Sequence, residues 1–122
     1  MAPRTCLLCD MELMYMNIAL LLGAAAFCVL ATIYDVKMSV KGIKAGIAVE
    51  ANYTWLYGTD KPTALQYYAV NLPFVVLACG ASIAAYCLHN PAFYYGGLAG
   101  PAALGAKHIQ GGLAWLKLGV KW

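Results

Sequence analysis

Hydrophobic positions fall into two long uncharged runs separated by a mixed polar segment. The first run, residues 13 to 34, lies between Glu12 and Asp35; the second, 62 to 106, lies between Lys61 and Lys107. A bilayer core asks for about 20 apolar residues per helix, so the second run is long enough for two spans. They join at "LHNPAFYY", where the residue before Pro91 is driven out of helical geometry and His89 and Asn90 supply a turn. The pattern predicts three transmembrane helices near 13–34, 64–88 and 92–106. The third is short and carries Gly96, Gly97, Gly100, Pro101 and Gly105. Such residues are tolerated in lipid when neighbouring helices cover the freed backbone groups, and a re-entrant half-helix is the alternative.

The polar segment between the runs, "DVKMSVKGIKAGIAVEANYTW" (residues 35–55), separates into two faces when wound at 100° per residue. Lys37, Lys41 and Lys44 form a basic stripe, and Asp35, Ser39, Gly42, Gly46, Glu50 and Tyr53 gather opposite. This predicts an amphipathic helix near 36–57, lying at the membrane surface or adding a further span with snorkelling lysines. Gly42 and Gly46 read as a G-x-x-x-G step that admits another backbone closely, with Ser39 and Glu50 placed to bond across the contact. On the side away from the lysines Glu50 loses water, so it must be paired, hydrogen-bonded or protonated.

Composition agrees with the pattern. The 122 residues are 63% hydrophobic and 11% charged, where soluble domains average about a quarter charged. Water is not the main solvent, and the length fits one membrane domain, 1–122. In the three-span arrangement Lys37, Lys41, Lys44, Lys61, Lys107, Lys117 and Lys121 share one side and leave Arg4 opposite. The positive-inside rule then places the N-terminus outside and the C-terminus in the cytoplasm, in a prokaryotic inner or intracytoplasmic membrane. Residues 1–13 lack the charge pattern and cleavage site of a signal peptide, so the first run is expected to be retained. The tail "KHIQGGLAWLKLGVKW" predicts a short interfacial C-terminal helix with Lys107, Lys117 and Lys121 at anionic headgroups and lipids bound.

The spacing "D-x-x-x-S" at Asp35 and Ser39, followed by "G-x-x-x-E-x-N" at Gly46, Glu50 and Asn52, resembles the signature of an uncharacterised family of small polytopic bacterial and archaeal membrane proteins. That family has D-x-x-x-[ST], then a glycine and E-x-N-P, on its first span; here Tyr53 stands at the proline. The resemblance covers about twenty residues and implies a small helical membrane protein with a polar helix face, without a reaction.

Other motifs assign little. Cys6 and Cys9 form one C-x-x-C pair that could be joined by Cys87 and His89 around zinc, but a single pair also serves as a disulfide or stays reduced. No metal site is assigned; Cys6, Cys9 and His89 are the candidates. His108 reads as a marker of the inner boundary. No zinc-protease, phosphate-loop or nucleophile-elbow motif occurs, and nothing resembles a nucleic-acid fold, so neither an enzyme nor a nucleic-acid binder is expected. Small residues recur at helix-packing distances, Gly96 and Gly100 among them. The expected function is a non-catalytic accessory subunit of a larger integral membrane complex, docking on other subunits through Asp35, Ser39, Gly42, Gly46, Glu50, Tyr53, Gly96 and Gly100. The alternatives are a homo-oligomeric pore former of holin type and a metal or redox protein using Cys6 and Cys9.

Overall fold

The computed structural model describes residues 7–50, 53–88 and 91–122, with the backbone alone for 7–17 and Pro91. These residues form four helices and no strand: α1 (Leu7–Lys44), α2 (Thr54–Tyr57), α3 (Ala64–Leu88) and α4 (Pro91–Lys117). Part of α1 (Ile18–Lys44) and all of α3 are long and apolar enough to cross a membrane. α4 is not in that class. Its 27 residues would reach about 40 Å, but Lys107, His108, Gln110 and six glycines dilute its hydropathy.

The amphipathic helix expected over 36–57 is not formed. α1 absorbs its first part and stops at Lys44, where Gly46 takes φ +68°. The Gly46 N–H donates to the Ile43 carbonyl and the Ile47 N–H to that of Gly42, each at 3.0 Å. This pair of bonds is a Schellman cap, with glycine at the left-handed position and Lys41 and Lys44 in the last turn. Gly46 therefore ends a helix and does not complete a G-x-x-x-G step on one.

α4 corrects the tail in the opposite direction. The third hydrophobic segment and the expected interfacial helix are one continuous rod through Pro101 to Lys117. Gly119 (φ +98°) closes it with the same cap: its N–H donates to Leu116 and that of Val120 to Trp115. Val120 then packs with Trp115 and Met38, the apolar contact that accompanies such caps.

α3 begins where its sequence directs. The Thr63 hydroxyl accepts from the Gln66 N–H at 3.3 Å, and the Gln66 side chain accepts from the Thr63 N–H at 2.8 Å. This reciprocal capping box satisfies two backbone donors at the helix start.

Contacts fix the directions. Gly105 lies against Phe27 and Cys28, Gly112 against Tyr34, and Trp115 against Gly42, so α1 and α4 run parallel. Ser39 faces Tyr67 and Cys28 faces Cys79, so α3 runs antiparallel to α1. The buried face of α4 is Gly97, Pro101, Gly105, His108, Gly112 and Trp115, a helical stripe in which Gly105 and Gly112 receive Phe27 and Tyr34 of α1 and Gly97 meets Ala81, Ser82 and Ala85 of α3.

Pro101 is accommodated by a tertiary bond. Proline has no N–H, which frees the carbonyl of Gly97 one turn earlier. The Ser82 hydroxyl of α3 donates to that carbonyl at 2.6 Å, and Ser82 itself is buried. Ser82→Ala should cost about 1–3 kcal/mol in a reversible unfolding titration in detergent, because the carbonyl is left without a donor. Unchanged stability would show that this bond does not carry the α3–α4 crossing.

The outer surface is apolar. Leu65, Leu72, Val76, Leu77 and Ile83 on α3 are well exposed, as are Leu22 and Leu30 on α1. Only 11% of the α3 apolar window and 22% of the α1 window are buried, which is unlike a helix at the core of a soluble domain.

Candidate functional site

Asp35 projects from α1 about eight turns from the start of the helix, and α4 brings His108 to meet it. The Nδ1–H of His108 donates to Asp35 Oδ2 at 2.7 Å, since an ionised carboxylate can only accept. The two side chains are 9% and 21% exposed, so the pair is held largely out of solvent. Gly111 makes the approach feasible: a Cβ there would lie 2.7 Å from the carboxylate. One turn along α1, the Ser39 hydroxyl donates weakly to Asp35 Oδ1 at 3.5 Å.

A second polar group joins at Ser39, whose hydroxyl faces that of Tyr67 on α3. Tyr67 is buried and its hydroxyl donates to Glu50 Oε2 at 2.8 Å. Glu50 is positioned by its own backbone, whose N–H donates to the Asp60 carbonyl at 2.7 Å and pins the segment after α1 to the loop before α3. The Tyr57 ring meets the Tyr67 ring edge-on at 4.7 Å, and Asn71 Nδ2 reaches both the Tyr57 hydroxyl (3.4 Å) and the Tyr67 carbonyl (2.8 Å). Burial pushes the Tyr57 hydroxyl above the ordinary tyrosine range; the bond from Asn71 works against this and nearby Glu50 and Asp35 reinforce it. Tyr57 is thus a neutral hydroxyl at physiological pH. The Lys107 ammonium sits 5.2 Å above the Tyr53 ring and closes the cluster on the α4 side.

One valence in this network is unspent. His108 Nε2 is buried with no hydrogen-bond partner among the described residues. With Nδ1–H committed to Asp35, Nε2 is left as a hydrogen-bond acceptor. No three metal-ligating side chains converge among the described residues.

The polar face read from the sequence is therefore used inside the chain. Asp35 pairs with His108, Ser39 joins the two polar groups, Glu50 receives Tyr67, and Gly42 receives the Trp115 ring. These four contacts occupy the positions expected to meet a partner subunit, because α3 and α4 reach them first. Tyr53 is half-buried beneath Lys107. Gly96 and Gly100 are open, with no neighbouring atom of the described residues within 4 Å of a Cβ at either. Lys37, Lys41, Lys44, Lys117 and Lys121 are exposed toward the end of the bundle where α1 and α4 stop, and Lys107 is exposed about 15 Å before it. Cys6 and His89 lie outside the described residues, as does the side chain of Cys9.

His108 is the site residue that sequence reasoning missed. Its signal was periodicity: positions 101, 105, 108, 112 and 115 follow one helical stripe once α4 is read as a single helix. No family model, curated protein or solved structure matches this chain.

Proposed function

We propose that this chain is an integral membrane protein in which α1, α3 and α4 all span, with the lysine-rich end in the cytoplasm and the start of α1 outside. The apolar outer faces of α3 and of residues 18–34 of α1 support this, as does the gathering of lysines at one end. α4 spans in this arrangement because its His108 faces inward and Lys107 lies near the basic end. It acts as a non-catalytic accessory subunit of a larger membrane assembly, held by helix-to-helix contact with other integral subunits.

The observation that carries this reading is the pair Gly96 and Gly100, one turn apart on the outer side of α4, bare of neighbours among the described residues and beside exposed Phe93. In lipid, apolar side chains gain little by leaving the bilayer, so helices associate where small residues let backbones approach. The chain's own α3–α4 crossing at Gly97 uses that device, and Gly96 and Gly100 leave an equivalent notch uncovered. The docking surface moves accordingly from the Asp35–Tyr53 face to this side of α4.

Mild-detergent extraction from native membranes, native-gel separation and mass spectrometry of the band test it. The expected result is a hetero-complex with fixed partners that Gly100→Leu dissolves while the chain remains membrane-inserted. A band containing this chain alone, together with leakage of reconstituted vesicles, would replace the subunit with a homo-oligomeric pore.

A further inference from the structure

Between α1, the start of α3 and the tail lies a pocket of about 480 Å³ at the lysine-rich end of the bundle. Lys37 and Lys41, one turn apart on α1, stand at its rim, and Val36, Val40 and Tyr68 supply an apolar wall. The tail holds both cations in place. The Lys37 ammonium lies 5.6 Å over the Trp122 ring, and the Lys41 ammonium donates to the Lys121 carbonyl at 3.4 Å. Trp122 is braced in turn by the Tyr34 ring, at 5.2 Å between centroids. Neither lysine has a carboxylate partner among the described residues: Asp35 is taken by His108, and Glu50 accepts from Tyr67.

We infer that this pocket binds the headgroup of an anionic phospholipid, with the phosphate between Lys37 and Lys41 and the upper acyl chain along Val36, Val40 and Tyr68. Two like charges one helical turn apart repel, and an anion between them converts that repulsion into attraction. The wall beside them is apolar, which a lipid uses and a free phosphate does not. The location also fits, since basic pockets between spanning helices on the cytoplasmic side are where acidic headgroups reside. This inference rests on the membrane reading above.

The test is native mass spectrometry of the detergent-purified full chain, titrated with phosphatidylglycerol and with phosphatidylcholine of identical acyl chains. Phosphatidylglycerol should bind on the order of tenfold more tightly, and Lys37→Gln and Lys41→Gln should each weaken it about fivefold. Both lysines are exposed, so neither change threatens the fold. Lys117→Gln, at the same end but away from the pocket, should change it little. Equal affinity for the two lipids, or an equal loss from Lys117→Gln, would overturn the site in favour of a diffuse surface potential. Full displacement by millimolar inorganic phosphate would overturn the lipid and leave a phosphate site. Alkaline carbonate extraction of the same membranes separates the two levels: release of the chain overturns the membrane reading, whereas retention without lipid preference overturns the pocket alone.

Discussion

Asp35→Ala will cost about 1–3 kcal/mol of stability, because it strands a buried donor. Removing the carboxylate leaves the Nδ1–H of a 9%-exposed imidazole without an acceptor, beside an Nε2 that already lacks a partner. His108→Ala should cost a similar amount from the other side, because Ser39 at 3.5 Å is too long a bond to replace the lost donor. The double variant should lose less than the sum, since it removes both buried polar groups together. Asp35→Asn should fall between wild type and Asp35→Ala, because the amide oxygen still accepts from Nδ1–H while the charge is gone. Reversible unfolding of the four proteins in one detergent gives the coupling energy. Ordinary hydrogen bonds between membrane helices average about 0.6 kcal/mol in such cycles, so a coupling that small would reduce this pair to one of them.

What the sequence reveals here is mainly what each helix end and face needs, and less which element supplies it. The α3 start follows from Thr63 and Gln66 alone, since a capping box is a local structure whose partners are three residues apart. The polar face of α1 at Asp35, Ser39 and Gly42 was equally visible, because it depends only on helical periodicity. Its occupant was not: His108 is 73 positions from Asp35, and nothing local fixes the register of α4 against α1. Gly46 shows an ambiguity of a different kind. A glycine four residues after another serves a packing step if the helix continues and a left-handed cap if it stops, and the lysines at 41 and 44 favoured the second use. In α4 the error ran the other way. Pro101 and its glycines are breakers by local propensity, but the carbonyl that Pro101 frees is satisfied by Ser82, a residue from another helix. The same limit governs the candidate site: the need of Glu50 for a partner was legible, whereas Tyr67 as that partner required the fold.

The adjacent glycines of α4 should respond in opposite directions to the same small change. At Gly97 a Cβ would stand 2.8 Å from that of Ala85, 3.1 Å from the Ala81 carbonyl oxygen and 3.1 Å from the Ser82 Cα. These neighbours are backbone atoms or a methyl fixed to the backbone, so no rotamer change relieves the overlap and α3 and α4 must separate. Separation also lengthens the 2.6 Å bond from Ser82 that compensates Pro101. Overpacking of this kind costs about 1–3 kcal/mol, to which an unpaired carbonyl adds about 1–3 more. At Gly96 nothing among the described residues lies within 4 Å, and alanine there gains the roughly 0.5–1 kcal/mol by which it exceeds glycine inside a helix. Gly97→Ala should therefore lower the unfolding midpoint in detergent and Gly96→Ala should raise it, although one methyl is added to one helix in both. A loss at both positions would place an unseen neighbour over Gly96 in the isolated chain. A gain at both would mean that the α3–α4 crossing is looser than its buried serine bond implies.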